Sequence, residues 1–555
     1  MGTWQPLSNQ PPFNTSTMLL LTDGTVMSQE SGGKNWWRLT PDASGSYVKG
    51  TWSPLAPMRN TRLYYASAVL RDGRVFVAGG EYSDGGGELA AAEIFEPLLD
   101  YWTSVPPPPG WTAIGDAPCC VLPDGRLLLG SIEDTRTAIY DPMLGTWTAG
   151  PNKDDSSSEE TWTLLPDETV LSVECANHPR AEKYVAPAER WVSAAPLPVE
   201  LVQSSSIEIG PAVLLPDGRV FAIGATGHTA IYTPPNVGDQ PGSWIIGPDF
   251  PRDGNGNLMG AKDAPAALLP NGNVLCVAGP SGEGGNFPGP TQFFEFDGTT
   301  LNPVANPPNS GGPPFVGRML LVPSGQVLFA SGGPDIEVYT PTGSPDAAWR
   351  PQITSSPVFL RAGQTYTLQG RQLNGLSQAV SYGDDASMAT NYPLVRIRRS
   401  DGTVHYCRTF DHSTMGVATG TSTRSTNFKV PFGLTPGLGE LCVVANGIES
   451  PCLPVLVGAF QIHVSIEEVM VNRLIGSLAD GPLWVLTRHG PIPVDPWGPE
   501  IAGRAKEARQ SIIQGVRALQ QLGRQLESMP LAVKELERKA VQPSGERRRP
   551  KRKVA

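Results

Sequence analysis

Four acidic residues recur at one position of a repeated pattern, and clustered carboxylates can bind cations or transfer protons. Seven times along the chain, two apolar runs flank a turn. The position eight residues before each turn holds Thr15, Tyr64, Asp116, Glu159, Ile209, Asp263 and Val316, and Glu208 precedes Ile209. If the repeats are arranged in a ring, equivalent positions face one central channel. We then expect four carboxylates to meet there: Asp116, Glu159, Glu208 and Asp263.

Basic and aromatic residues accompany these carboxylates: Arg62, Tyr64, Lys262 and Arg318. Several carboxylate oxygens in one place suit a hard cation such as Ca²⁺, and they also accept hydrogen bonds from polyol or sugar hydroxyls. The other interpretation is structural, with carboxylates that cap turns and hydrate a channel. A catalytic pair of the glycosidase type would need a defined separation of about 5–9.5 Å, which the sequence does not give.

The turns that set this register predict seven β-hairpins. Most are Asp-Gly or Asn-Gly, a strong hairpin signal because glycine adopts the positive φ that a tight turn requires. Their first residues are Asp23, Asp72, Asp124, Asp167, Asp217, Asn271 and Ser324. Intervals of 43 to 54 residues leave room for four strands in each repeat.

The strands that complete each repeat carry aromatic residues. A third strand has Phe or Tyr, and we expect a fourth strand to have tryptophan: Trp52, Trp102, Trp147, Trp191, Trp244 and Trp349. Four strands at a period near 50 are typical of kelch-type blades. The sequence therefore predicts a seven-bladed β-propeller over residues 1–350. Residues 1–8, which contain Trp4, are expected to close the ring onto the last blade.

The composition changes after the propeller. Residues 351–459 contain short alternating runs and are predicted to form an Ig-like β-sandwich. Residues 460–541 are predicted to be helical, because apolar residues recur every three or four positions over 500–529. This stripe packs either on its own protein or in a coiled coil. The fold class is thus all-β, propeller then sandwich, with a C-terminal α-helical extension.

Charge also separates the C-terminal segment from the rest. Residues 460–555 hold 16 basic and 10 acidic residues, whereas the whole chain has a net charge of −11. The tail, 542–555, is expected to be disordered, and six of its residues over 547–553 are basic. Such a tail is solvated or binds nucleic acid or an acidic surface. A partner, or self-association, is expected through 500–529.

Targeting and redox features are sparse. No apolar run is long enough for a membrane span, and the N-terminal residues do not form a signal peptide. The chain is expected to be cytoplasmic, a mature form, or exported without a cleaved signal. The seven cysteines form no CxxC pair, so free buried thiols are the expectation.

The repeats and the following domain resemble the galactose oxidase and glyoxal oxidase family over about residues 1–459. Arg62-Leu-Tyr64 is similar to the family's Arg-x-Tyr strand, whose tyrosine binds copper, and Asp411-His412-Ser413 lies near its copper histidine. The resemblance implies a cysteine near Thr17 and a Tyr-His pair at Phe315 and Val316, and this chain has neither. We therefore expect the family's radical-copper chemistry to be absent.

The predicted function is a non-catalytic binding or interaction protein. Its propeller and sandwich would form one body that binds a carbohydrate, a cation or a protein. The helical C-terminus would tether this body. The candidate ligand-binding residues are Arg62, Tyr64, Asp116, Glu159, Glu208, Asp263, Arg318 and His412. The alternative is a copper-dependent carbohydrate or aldehyde oxidase with an altered site, in which Tyr64 and His412 would be catalytic. No cofactor is predicted firmly; calcium fits the carboxylates better than copper does.

Overall fold

The structure is a computed structural model that describes residues 2–84, 86–256, 258–282, 284–381, 389–458, 484–487 and 490–493 and positions 510 and 514. Seven antiparallel sheets form the blades of a β-propeller, six of them with four strands and one, in blade 6, with six. The inner three strands of each blade are rich in apolar residues, and nearly all of their side chains are buried. The predicted seven-bladed propeller is confirmed.

The N-terminus closes the ring. Strand β1 (Thr3–Pro6) pairs antiparallel with the third strand of the seventh blade, with Trp4 opposite Tyr339. The amide of Gly2 donates a hydrogen bond to the hydroxyl of Tyr339 at 3.0 Å. The last blade therefore contains strands from both ends of the propeller sequence, as the isolated Trp4 strand predicted.

The strands of the first four blades follow in chain order. Blades 1 and 2 contain β2 (Thr15–Leu20), β3 (Val26–Glu30), β4 (Trp36–Thr40), β5 (Thr51–Leu55), β6 (Ala66–Val69), β7 (Val75–Ala78), β8 (Ala92–Glu96) and β9 (Tyr101–Val105). Blades 3 and 4 contain β10 (Cys119–Val121), β11 (Leu127–Gly130), β12 (Thr137–Asp141), β13 (Thr146–Ala149), β14 (Thr161–Leu164), β15 (Thr169–Val173), β16 (Ala181–Val185) and β17 (Arg190–Ser193).

The remaining blades use the same order, with an extra short strand in blade 6. Blades 5 and 6 contain β18 (Ala212–Leu214), β19 (Val220–Ile223), β20 (Thr229–Thr233), β21 (Ser243–Ile246), β22 (Met259–Gly260), β23 (Ala266–Leu268), β24 (Val274–Pro280), β25 (Gln292–Phe296) and β26 (Leu301–Pro303). Blade 7 contains β27 (Arg318–Leu321), β28 (Val327–Ala330), β29 (Ile336–Thr340) and β1. Short 3-10 helices lie at Ala186–Ala188, Pro314–Val316 and Ala347–Trp349.

One predicted tryptophan strand is wrong. Trp349 ends a 3-10 helix beyond blade 7 and packs over the Gly272 turn, so it does not belong to a fourth strand. Trp4 takes that place in blade 7, and the fourth strand of blade 6 has no tryptophan. Ring closure supplies the missing aromatic from the N-terminus, which is why the local repeat misassigned Trp349.

The hairpin turns share one backbone geometry. Glycine with positive φ follows the first turn residue in six blades, for example Gly218 at 87° in blade 5. In blade 4 the equivalent residue is Glu168, which adopts a φ of 69°. A glutamate in the left-handed region is strained by about 1 kcal/mol or more, so blade 4 contains the least favourable of these turns.

A nine-stranded curled sheet follows the propeller. It contains β30 (Gln352–Ser355), β31 (Phe359–Arg361), β32 (Thr365–Arg371), β34 (Leu394–Arg399), β35 (Val404–Phe410), β36 (Thr423–Lys429), β37 (Gly437–Ala445), β38 (Ile448–Glu449) and β39 (Leu453–Gly458). It encloses its own apolar core, which includes Leu368, Ile397 and Phe428. Its hydrogen bonds run along one path without a break, so the predicted division into two Ig-like sheets stays a prediction.

The curled sheet packs on the turn end of the propeller. Amides of Thr409 and Met415 donate hydrogen bonds to carbonyls next to the turns of blades 1 and 3, at 3.0 and 2.9 Å. A further strand, β33 (Val380–Ser381), lies in the connection between β32 and β34 of the curled sheet. It pairs with the inner strand β23 of blade 6. Because pairing is antiparallel, β33 runs from the turn end towards the opposite end of the ring.

The cysteine prediction needs one correction. Cys442 and Cys452 form a disulfide, whereas five other cysteines are buried free thiols. The pairing of β37 with β39 brings the two Cα atoms within 4.5 Å, a distance compatible with a disulfide. Sequence spacing alone did not reveal that these two strands are neighbours.

The rest of the chain, residues 461–555, is a separate unit. In it the structure describes a hairpin of β40 (Trp484–Thr487) and β41 (Gly490–Pro493). The predicted helical stripe over 500–529 and the basic tail over 542–555 lie outside the described residues, apart from positions 510 and 514. Among the described residues, no helix is long and apolar enough to cross a membrane.

Candidate acidic site at the channel mouth

Three of the four predicted carboxylates come together. Glu159, Glu208 and Asp263 precede the inner strands of blades 4, 5 and 6, and each is partly exposed. One carboxylate oxygen from each residue lies within 4.8 Å of the others. The register argument therefore placed three consecutive blades correctly, and we call this group the acidic triad.

The backbone of the acidic triad is strained. Glu159 and Asp263 adopt left-handed φ values of 58° and 45°, and Ile207, which precedes Glu208, has a φ of 62°. Tyr64, at the same register position in blade 2, has a φ of 49°. Non-glycine residues in this region cost of order 1–3 kcal/mol each and concentrate at functional sites.

Asp116 borders the same mouth from blade 3. Its side chain is buried, and its charge acts on Tyr82. The pKa of Tyr82 is raised first by the negative charge of Glu81 and further by Asp116 and Glu159. Since both carboxylates act on one phenol, Asp116 lies near the acidic triad without belonging to it.

Aromatic and basic side chains lie on the blade 2 and blade 7 side. The rings of Tyr64 and Tyr82 are 6.4 Å apart, and the guanidinium of Arg318 lies 5.8 Å from the Tyr64 ring centre. Arg318 is buried and donates hydrogen bonds to the carbonyls of Phe315 and Gly317. Lys262 lies over the ring of Phe287, with its ammonium 3.8 Å from the ring centre.

Arg62 has a structural role instead of the expected binding role. Its side chain is fully buried and forms an ion pair with Glu93 on β8 at 2.9 Å. It also donates hydrogen bonds to the carbonyls of Gly79 and Ala91. A ligand in the channel mouth cannot reach this guanidinium without opening blade 2.

His412 lies at the opposite end of the ring. Its amide contacts the carbonyl of Arg71, just after the inner strand of blade 2, whereas Tyr64 precedes that strand. Seven residues of extended chain separate Tyr64 and Arg71 by on the order of 20 Å. The segment of the curled sheet that enters the channel is β33 and not the loop of His412, so the expectation for His412 is corrected.

This separation also tests the copper ligand set. Tyr64 and His412 were the two positions that matched the oxidase family, and one Cu(II) ion needs its ligands within about 2–3 Å of itself. The residues present do not fit a shared copper site, and we derive no chemistry through copper.

A buried ion network lies next to the blade 4 member of the triad. Lys153 donates hydrogen bonds to Glu160 at 2.6 Å and to Glu174 at 3.1 Å, and Asp155 lies 3.5 Å away. All four side chains are almost completely buried. Glu160 is the immediate neighbour of Glu159, whose carbonyl accepts a hydrogen bond from the thiol of Cys175. The network and this thiol bond therefore border the blade 4 member of the triad.

The network holds more carboxylates than ammonium groups. Burial would lower the pKa of Lys153, but its carboxylate neighbours outweigh burial and raise that pKa, so the lysine stays charged. Burial, followed by repulsion from Glu160, raises the pKa of Glu174 to about 12. Glu174 is therefore protonated at neutral pH. The sequence analysis missed this network; the run Glu159-Glu160 was its only local signal.

Comparison with known proteins finds a partial similarity to one kelch-like protein. No family model matches it. It is 31% identical over 126 residues to the kelch-like protein terF of Aspergillus terreus, which covers 22% of this chain and 26% of that relative. The similarity thus spans about a quarter of the relative's length.

Two solved structures have a similar shape. A fungal alcohol oxidase of the AA5 family, solved with copper, is 15% identical, with a TM-score of 0.47 and coverage of 82% of this chain and 99% of its own. A catalytically inactive virginiamycin B lyase from Staphylococcus aureus, solved with quinupristin, is 11% identical, with a TM-score of 0.43 and coverage of 62% and 100%. Both similarities are too low to argue function. The description that the fold itself supports is a seven-bladed β-propeller.

Proposed function

We propose that the chain is a binding protein whose channel mouth holds a divalent cation of the calcium type. One observation carries this: three carboxylates from three consecutive blades lie within 4.8 Å of one another. Three carboxylates supply up to six of the 6–8 oxygens that Ca²⁺ takes.

The oxidase alternative is not adopted. Its two remaining candidate ligands, Tyr64 and His412, lie at opposite ends of the blade 2 inner strand. The tether through the C-terminal helix and the Ig-like division of the curled sheet stay predictions. A carbohydrate remains compatible with the same carboxylates, through hydroxyl donors, and is an outcome of the test below.

Terbium luminescence tests the proposal directly. Tb³⁺ replaces Ca²⁺ at oxygen sites and is sensitised by nearby tyrosine; Tyr82 is influenced by Glu159 and therefore lies close to the triad. We expect saturable Tb³⁺ emission that Ca²⁺ displaces, and at least tenfold weaker binding in Glu208→Gln and Asp263→Asn. Asp217→Asn, a turn carboxylate at the other end of blade 5, is the matched control and should bind like the wild type.

Two results would contradict the proposal. Equal Tb³⁺ affinity in the wild type and both triad variants would place the ion elsewhere. No Tb³⁺ or Ca²⁺ binding, with calorimetric binding of a polyol that Asp263→Asn abolishes, would instead support a carbohydrate site at the same carboxylates.

A further inference from the structure

An apolar row crosses the outer face of the curled sheet. Phe359 on β31 is the register partner of Leu456 on β39, and Leu456 is the partner of Leu438 on β37. These side chains are 47%, 43% and 69% exposed, respectively. Cross-strand partners project from the same face of a sheet. The three residues therefore form one continuous row, which we call the outer row.

One further exposed residue extends the outer row. Phe432 is 74% exposed and lies over Gly363, in the turn that follows β31. At about 200 Å² for a large apolar residue, the four residues expose roughly 500 Å². An apolar patch of this size is at the upper end for a monomer and is often functional.

Opposite charges border the outer row at its two ends. On the outer face, Glu440 is the register partner of Pro454, two residues from Leu456 in one direction. Arg361 is the partner of Gly458, two residues from Leu456 in the other direction. The Glu440 side chain is 60% exposed, and the nearest guanidinium, that of Arg398, is 3.9 Å away. An acidic end and a basic end therefore flank an apolar centre.

We propose that the outer row is a self-association surface that pairs with the same row of a second copy. A two-fold axis that lies in the interface and crosses the strands at Leu456 reverses the strand direction between the copies. This brings the Glu440 end of one copy towards the Arg361 end of the other. The pattern is self-complementary, as an interface with two-fold symmetry must be.

The area also fits a dimer of this kind. Two copies of the outer row would bury roughly 1,000 Å² of apolar surface in total, at the lower limit for specific interfaces. The polar residues around it add to this area. The expected product is a reversible dimer that forms in the micromolar range, and it is independent of cation binding at the channel mouth.

Sedimentation velocity on the full chain tests the proposal. We expect a concentration-dependent species with twice the chain mass. Leu456→Glu and Leu438→Glu should weaken dimerisation at least tenfold. Because both side chains are exposed, these changes leave the fold intact, which circular dichroism verifies. Ile245→Glu, at a residue that is 56% exposed on the outer strand of blade 5, is the matched control and should dimerise like the wild type.

Charge reversal tests the orientation of the two copies. Glu440→Arg and Arg361→Glu should each weaken the dimer, and the double variant should restore it, because the acidic end of the row in one copy lies over the basic end of the row in the other. A monomeric wild type overturns the proposal. A dimer that survives Leu456→Glu overturns it too and assigns self-association to another surface, such as the predicted stripe over 500–529. Loss of the dimer without rescue overturns the antiparallel arrangement.

Discussion

His412 should make the stability of the propeller contact depend on pH. Its imidazole is completely buried, stacks on Tyr392 with ring centres 6.2 Å apart, and bonds Thr426 through Nδ1 at 2.9 Å. Its Nε2 has no hydrogen-bond partner among the described residues. Burial, with the positive charge of Arg71, lowers the pKa of His412 to about 3. The folded protein therefore holds a neutral imidazole.

The sign and size of the effect follow from linkage. In the unfolded chain a histidine takes up a proton near pH 6.5, whereas the folded chain resists protonation down to about pH 3. The unfolded state therefore binds more protons in this window, and the stability that His412 contributes falls as the pH falls. The loss is about 2 kcal/mol at pH 5 and at most about 5 kcal/mol below pH 3, at 1.36 kcal/mol per pKa unit.

Urea unfolding of His412→Gln at pH 8 and pH 5 measures this effect. The variant should be less stable than the wild type at pH 8, and this difference should shrink by about 2 kcal/mol at pH 5, because glutamine does not titrate. His405→Gln is the comparison: His405 lies on the same sheet and is half-exposed, and burial lowers its pKa as well, so its difference should change in the same direction. An equal difference at both pH values would refute the buried neutral imidazole.

Three other changes test the framework of the fold by chemical denaturation. Glu168→Gly should stabilise the protein by up to about 1 kcal/mol, because it removes a left-handed glutamate from the blade 4 turn; Glu189→Gly relieves a similar φ in the same blade and is the comparison. Lys153→Met should destabilise by about 3–5 kcal/mol, since it leaves buried carboxylates without their cation; equal stability would contradict the ion network. Reduction of Cys442–Cys452, which closes a loop with a sequence separation of 10, should cost about 3 kcal/mol, and an unchanged unfolding midpoint in reductant would argue against the bond.

The sequence predicted the repeated features well because their signals are local. Asp-Gly and Asn-Gly turns define each hairpin, and the outlying Trp4 identified the strand that closes the ring. The same register placed Glu159, Glu208 and Asp263 together, since equivalent positions of consecutive blades converge at the channel. Local pattern and global symmetry agree at these residues.

The misplaced residues depend on contacts that no local pattern encodes. Arg62 is buried in blade 2, where it forms an ion pair with Glu93, which lies 31 residues further along the chain. His412 lies at the turn end beside Arg71, and a different segment, β33, pairs with an inner strand of the ring. Lys153 lies in a loop between blades, and only the fold reveals that three carboxylates surround it.

The closing strand constrains how the protein can be made. β1 is synthesised first, but its partner β29 is more than 300 residues further along the chain. At 5–20 residues per second, the ribosome needs roughly 20 to 70 s to complete that distance. Throughout that interval the outer edge of the last blade does not exist, and the strand at the N-terminus has nothing to pair with.

The final blade of the ring can therefore form only after β29 has been synthesised. Blades 1 to 5 are each contiguous in sequence and can form in order, but the seventh waits for a contact of very high sequence separation, which slows folding. Exposed strand edges invite aggregation while they remain unpaired. A side chain in place of Gly2 would meet Tyr339 and the Thr340 carbonyl, so the closing contact itself requires glycine at this position.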